Sequence, residues 1–183
     1  MGGSMRKRRF FGALIFAVPV VVAAATFAVA GDGGKSQFKA DTLTGYQETA
    51  IGAISTVGTG TFEAQLEGDA INYTLTYADL EGGSVLFAHI HFGARGVNGG
   101  VIAFLCGGGG KPACPASPAT VTGTITAADI VGPTSQGIEV GSFDEAVRAV
   151  RAGAVYANVH TTRWGGGEIR GQVNDSNQRA APQ

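Results

Sequence analysis

Short runs of alternating apolar and polar residues, separated by turn residues, fill most of the chain between residues 38 and 173. The runs at 58–67 and 70–80, for example, meet at Gly68-Asp69, a typical tight-turn pair. About eight or nine such strands predict an antiparallel, Greek-key-like β-sandwich. One short helix is predicted after Ser142, because Ser142 and Glu145 have the spacing of a capping box. The predicted fold class is therefore all-β.

Residues 1–30 have the pattern of a secretory signal peptide. A basic cluster at 6–9 precedes an apolar run at 10–25, and Ala28-Val29-Ala30 supplies the small residues of a cleavage site. Cleavage predicts a secreted or cell-surface protein whose mature form has no membrane segment. An uncleaved anchor is the alternative, because the whole apolar segment is long enough to span a bilayer, although Pro19 interrupts it.

The same pattern predicts the domain boundaries. Residues 31–37 form a polar leader that we expect to be disordered, residues 38–174 form the β-sandwich domain, and residues 175–183 form a polar tail. Beyond residue 30 the chain has nine basic and 14 acidic residues, a net charge of −5. An acidic domain without a basic stripe excludes nucleic acid as a partner.

Cys106 and Cys114 are the only cysteines, and they flank a glycine-rich segment. In an exported protein, one pair around a flexible loop favours a disulfide bond. A metal site is the alternative, but the neighbouring residues supply no further ligand.

Two of the three histidines, His89 and His91, lie in one predicted strand. Alternate side chains of a strand share a face. The core positions of this strand would be Leu86, Ala88, Ile90 and Phe92. Both histidines would then point outward, away from the core.

The last two predicted strands have the same pattern. His160 and Asn158 would point outward on the first of them, and Glu168 and Arg170 on the second. If these strands neighbour the His89 strand, all three histidines could converge on one polar face. The three strands would then form a metal site.

Three imidazoles without a thiolate suit copper or zinc, and they leave a position open for water or substrate. Glu168, Arg170 and Asn158 would support the histidines from behind, with Glu168 as an alternative fourth ligand. The alternative is a structural hydrogen-bond network on a wet sheet face. No nucleophile elbow, phosphate loop or dinucleotide fingerprint is present, so no catalytic residue is predicted.

Several blocks of the chain resemble the CHRD (chordin-type) domain. They are Leu43-Thr44-Gly45-Tyr46-Gln47-Glu48, the segment from His89 to Gly99, Tyr156-Ala157-Asn158-Val159-His160-Thr161, and Gly167-Glu168-Ile169-Arg170-Gly171-Gln172. The resemblance departs from the family pattern at Thr49-Ala50 and at 165–167, where prolines are usual. It implies an all-β extracellular module, found in bacterial secreted proteins and in the growth-factor binder chordin, and it implies no catalytic activity.

A looser likeness is to copper/zinc superoxide dismutase, a β-sandwich whose copper is held partly by a His-x-His strand. His89, His91 and His160 fit this likeness, but no histidine remains for a fourth copper ligand or a zinc site. Dismutase activity is therefore not expected.

Two functions stay open at this point. The first is a secreted metal-binding β-sandwich. The second is a non-catalytic interaction or structural module that binds an extracellular protein partner through the 93–100 loop and Trp164. In that case the histidines are only structural.

Overall fold

Eight antiparallel strands and one short helix form the protein in a computed structural model that describes residues 1–2 and 36–175. The strands are β1 (Gln37–Thr44), β2 (Thr59–Glu67), β3 (Ala70–Ala78), β4 (Val85–Phe92), β5 (Gly100–Cys106), β6 (Ala119–Ile125), β7 (Val155–Thr161) and β8 (Ile169–Asp175), and the helix is α1 (Phe143–Arg151). Nearly all of the predicted signal peptide and of the leader, and the tail beyond Asp175, lie outside the described residues. Within the described residues, no helix has the length and apolar character needed to cross a membrane.

The strands make one nearly closed sheet in the order β5-β4-β7-β8-β1-β2-β3-β6. The pairs β4–β7, β8–β1 and β3–β6 join strands that are distant in sequence. The edge strands β5 and β6 approach each other, and the Tyr73 hydroxyl on β3 donates to the Leu105 carbonyl on β5 at 2.7 Å. The all-β antiparallel prediction is confirmed.

The interior of the sheet holds the apolar side chains that the alternation predicts for most strands. These include Leu43, Phe62, Leu75, Tyr77, Ala88, Ile90, Ile102, Leu105, Val155, Ala157, Val159, Ile169 and Val173. Phe92 is partly buried against this core, but Leu86 is 40% exposed, so the prediction that Leu86 is a core residue is wrong. The cause is a register shift between Val85 and Phe87 in the pairing of β4 with β7.

The predicted helix is confirmed, but its predicted capping box is not formed. The Ser142 side chain makes no capping hydrogen bond, and the Glu145 carboxylate instead accepts the backbone N–H of Glu139 at 3.0 Å. Ser142 has φ −79° and ψ 79°, outside the extended region that is typical of a capping residue. Burial of the apolar face of α1, which includes Ala146, Val147 and Val150, therefore stabilises the helix.

Cys106 and Cys114 form the predicted disulfide, with their Cα atoms 5.0 Å apart. The loop that it closes packs flat on a ring of β5. A Cβ atom added at Gly108 would lie 2.5 Å from Cε1 of Phe104, so any larger residue there would have to displace the Phe104 ring. The disulfide thus holds a glycine backbone against Phe104.

Replacing both cysteines with serine should lower the free energy of unfolding by about 2–3 kcal/mol, because a loop of this length closes at that entropic cost. Urea denaturation of the double variant measures the effect. Lys111→Met is the control, since it removes the Lys111–Asp129 ion pair (2.7 Å) of the same loop and keeps the disulfide. A double variant as stable as the wild type would contradict the prediction.

Candidate metal centre

Strand order brings the three histidines together. β4 and β7 are antiparallel neighbours, in which Phe87 lies opposite His160 and His89 lies opposite Asn158. His89 therefore contacts His160 on the diagonal, with ring centroids 4.3 Å apart, and His91 on its own strand at 4.4 Å. One ring nitrogen of each histidine lies within 4.8 Å of one ring nitrogen of the others. The expected convergence is confirmed, and we call His89, His91 and His160 the histidine cluster.

The histidine cluster is buried. His89, His91 and His160 lie on the non-core side of their strands, but they are only 5%, 9% and 5% exposed, so this face is covered rather than open to solvent. Every residue of β7 is buried on both faces of the sheet. Aromatic rings cover part of the face that carries the histidines. The Phe87 ring centroid lies 5.6 Å from that of His89 and 4.9 Å from that of His160, and the Phe104 ring meets the His89 ring edge-on at 5.1 Å.

Two backbone carbonyls orient the cluster. The Nδ1 atom of His91 donates to the Gly99 carbonyl at 2.8 Å, and Nδ1 of His160 donates to the Gly165 carbonyl at 2.9 Å, because a carbonyl only accepts. In the neutral ring the other nitrogen, Nε2, then carries a lone pair. Within the described structure Nε2 of His91, Nε2 of His160 and Nδ1 of His89 are buried and have no hydrogen-bond partner. Buried nitrogens without a partner are uncommon, and a metal ion would satisfy them.

Burial keeps the histidine cluster neutral. Desolvation lowers the pKa of His91 and of His160 from 6.5 to about 4, although the carbonyl bonds of both oppose it. For His89, desolvation and the two neighbouring imidazoles lower the pKa to about 2. All three rings are therefore in the form that binds metals at neutral pH.

An aromatic stack lies behind His91. The Tyr156 ring is parallel to the His91 ring at 4.6 Å, and the Arg170 guanidinium lies 3.4 Å from the centre of the Tyr156 ring. Alternation along β7 puts Tyr156 on the same face as Asn158 and His160. Its position directly opposite His91 on the neighbouring strand is the signal that would have marked it as a contact.

Arg170 holds two loops beside the histidine cluster through hydrogen bonds. Its guanidinium donates to the carbonyls of Val97 at 2.8 Å and Ala94 at 3.3 Å, and to the hydroxyl of Thr49. The first two belong to the loop whose Gly99 carbonyl orients His91. Arg170 therefore positions a histidine through the loop rather than by direct contact.

Glu48 is a buried carboxyl that the sequence pattern did not single out. Its Oε1 atom accepts a hydrogen bond from the Asn158 side chain, and Asn158 also donates to the Ile169 carbonyl at 3.2 Å. Desolvation raises the pKa of Glu48 to about 7, against the opposing effects of the Arg170 charge and the Asn158 hydrogen bond. A Cβ atom added at Gly167 would lie 2.5 Å from both side chains, so this pair requires glycine there.

The CHRD domain family matches residues 40–173, well over half of the chain. This protein belongs to the CHRD domain family. Comparison with curated proteins and with solved structures returned no match. The histidine cluster, Arg170 and Glu48 all lie within the matched CHRD residues.

Glu168 lies in the CHRD domain's core but its carboxylate is engaged away from the histidines. It accepts hydrogen bonds from the Thr56 hydroxyl at 2.8 Å and from the backbone N–H groups of Glu81 at 2.6 Å and Gly82 at 3.0 Å. Among the described residues, the group of potential ligands contains only the three histidines. Of the three predicted supporting residues, the structure therefore places Arg170 behind His91 and Asn158 opposite His89 on β7, whereas the Glu168 carboxylate binds Thr56 and the 81–82 backbone.

Trp164, the predicted partner contact of the CHRD domain, is half-buried. Its carbonyl accepts the backbone N–H of Gly167 at 3.0 Å, and the Arg163 guanidinium lies 4.7 Å from its ring centre. The turn that it helps to form also holds Gly165, whose carbonyl orients His160. Its observed contacts thus serve the turn beside the cluster.

Acid should destabilise the CHRD domain between pH 6.5 and about 4. Unfolded histidines take up protons near pH 6.5 and the native cluster only at about pH 4 or below, so the unfolded state binds more protons in this range. The stability is therefore complete above pH 6.5 and is lost as the pH falls. Glu48 acts in the opposite direction, because its native pKa is raised and its contribution is lost as the pH rises toward 7. The three histidines together change the free energy of unfolding more than the single Glu48 carboxyl does, so the net effect of acid is destabilising.

Urea midpoints at pH 5 and pH 7 measure this effect. The wild-type midpoint should be lower at pH 5. Glu48→Gln is the control, because it removes the opposing titration and should widen the difference between the two midpoints. Equal wild-type midpoints at the two pH values would contradict the prediction.

Proposed function

We propose that this protein is a secreted or cell-surface CHRD module that binds one copper or zinc ion through His89, His91 and His160. The single observation that carries the proposal is the buried histidine cluster, with one unpartnered nitrogen on each ring. The family and the disulfide support an extracytoplasmic location.

The donor set favours these two metals. Neutral imidazoles suit copper and zinc, whereas magnesium and calcium need oxygen ligands. Carbonyl bonds to the far nitrogen of a ligating histidine, as seen for His91 and His160, are the usual way in which proteins orient such ligands. When bound, such an ion supplies Lewis acidity at an open coordination position.

Calorimetric titration of the protein with Zn(II) and Cu(II) tests the proposal. The wild type should bind one equivalent, and both His160→Ala and the double variant His89→Ala, His91→Ala should lose that binding. Thr161→Val is the matched control, because it removes a buried unpartnered hydroxyl next to His160 and leaves all three imidazoles. Equal binding by the wild type and the double variant would overturn the proposal.

An interaction module is the second candidate, favoured by exposed apolar side chains on two joined loops. Ile51 is 70% and Val97 55% exposed, and a hydrogen bond between Thr49 and Asn98 links their loops. In this case an extracellular protein partner would bind the loops and the histidines would only be structural. Partner binding that survives in the double histidine variant and weakens in Ile51→Asp would favour this candidate over the metal centre.

A further inference from the structure

The histidine cluster offers a metal ion no negative charge. Its three ligand groups are neutral imidazoles, and within the described residues no carboxylate or cysteine belongs to the group. A divalent ion bound there would keep its full double charge unless solvent supplied an anion. A monovalent ion would keep a single charge.

The two buried carboxylates of the described residues, Glu48 and Glu168, already accept hydrogen bonds from other groups. Glu48 accepts from Asn158, and Glu168 accepts three hydrogen bonds from the Thr56 hydroxyl and the 81–82 backbone. Moving either one toward the cluster would leave buried donors without partners, which is costly. Neither group is therefore available to compensate a second positive charge.

The charged group that stacks behind the cluster is a cation. Arg170 lies over the Tyr156 ring, and Tyr156 lies parallel to His91. Like charges in a buried site repel each other, and the repulsion doubles for a divalent ion. Arg170 thus adds to the preference for a lower ionic charge.

The walls of the cluster are apolar. The rings of Phe87 and Phe104 pack against His89, and Phe87 also packs against His160. A dry wall raises the cost of removing an ion from water, and this cost rises steeply with ionic charge. Cu(I) carries one charge, accepts three ligands without needing a fourth, and binds imidazole.

From these contacts we infer that the histidine cluster prefers Cu(I) to Zn(II) and Cu(II). The inference rests on the proposed metal centre and names the ion and its oxidation state. Three features of the protein favour the ion with the lower charge. They are the neutral imidazole ligands, the apolar walls formed by Phe87 and Phe104, and the positive charge of Arg170.

Competition titrations of protein purified from expression of the full chain test the preference. Cu(I) is supplied anaerobically with ascorbate and a Cu(I) chelator, and Zn(II) and Cu(II) are titrated against chelators of their own. The Kd for Cu(I) should be lower than that for either divalent ion by at least about 100-fold, given the extra desolvation of a second charge. The variant with both cysteines replaced by serine should bind Cu(I) equally, which excludes thiols as the ligands.

A matched pair of variants tests the physical reason. Phe87→Glu places a carboxylate on the wall of the cluster, and Phe87→Gln places a neutral side chain of the same shape there. The glutamate variant should bind Zn(II) at least about 10-fold more tightly than the glutamine variant, whereas their Kd values for Cu(I) should differ less. A Zn(II) affinity that is the same in both would overturn the charge argument.

The outcomes separate the inference from the proposed function. If the wild type binds Zn(II) or Cu(II) within 10-fold of Cu(I), and loses both ions in His160→Ala, the metal centre stands and the preference is wrong. If no ion binds, or if His160→Ala binds the ions like the wild type, the proposed metal centre is wrong, and the inferred preference for Cu(I) is wrong as well.

Discussion

Replacing Arg170 with alanine should lower the free energy of unfolding by about 3–5 kcal/mol and weaken metal binding by about 10–100-fold, because the loss of His91 positioning outweighs the relief of charge repulsion on the ion. Arg170 is 2% exposed and supplies the positive charge that opposes the raised pKa of the buried Glu48. Without the guanidinium, Glu48 keeps its desolvation without a cation nearby. The carbonyls of Ala94 and Val97 lose their donor in the same variant.

The effect on metal binding acts through a loop. Arg170 holds the segment 94–97, which leads to the Gly99 carbonyl that accepts from His91 Nδ1. A freed loop leaves His91 without its orienting bond, so Nε2 no longer has a fixed direction. Calorimetry measures the affinity, and urea denaturation measures the stability.

Two controls separate positioning from general loss of stability. Arg170→Lys keeps the charge but loses the planar fork that reaches several acceptors, so it should restore stability only in part. Glu168→Gln should also destabilise the protein, because it disturbs a buried acceptor of three hydrogen bonds, but it should leave metal affinity nearly unchanged. Equal loss of affinity in Arg170→Ala and Glu168→Gln would contradict a positioning role for Arg170.

Saturating metal should raise the midpoint of thermal unfolding by about 8–16 °C. An ion at 1,000 times its Kd stabilises the native state by about 4 kcal/mol, and a chain of this size gains about 2–4 °C for each kcal/mol. The gain is specific because the unfolded chain does not hold the three imidazoles together. Differential scanning fluorimetry with and without the ion measures it.

The shift should disappear in His160→Ala and persist in Thr161→Val. A third measurement at pH 5 extends the test: since the native histidines are still neutral there, the ion should also stabilise the protein at that pH. An equal shift in His160→Ala would mean that the ion binds at other groups.

Much of the fold could be predicted from residue patterns. Alternation and turn residues located the eight strands and the helix, and the cysteine pair around a glycine loop identified the disulfide, because these features depend on local geometry. Each histidine was also assigned correctly to the non-core side of its strand. The burial of that side was not predicted, because alternation distinguishes two sides of a strand and does not reveal whether a loop covers one of them.

For the supporting residues too, the local pattern predicted the side of the strand but not the contacts. Asn158, Glu168 and Arg170 were predicted to surround the histidines because they share a face, and only the hydrogen bonds reveal that Glu168 serves another loop. Glu48 and Tyr156 escaped prediction for the opposite reason. Glu48 lies in a loop without periodicity, and the position of Tyr156 depends on which strand lies beside β4.

The sequence by itself determined the all-β class, the strand positions, the disulfide and the side of its own strand on which each histidine lies, since each follows from local spacing along the chain. Only the tertiary structure decided that β7 lies beside β4, that the loops at 45–54 and 93–99 cover the face, and that the imidazoles are therefore buried and neutral. The physical reason is that strand order and loop packing depend on contacts between residues more than 50 positions apart, such as His89 with His160.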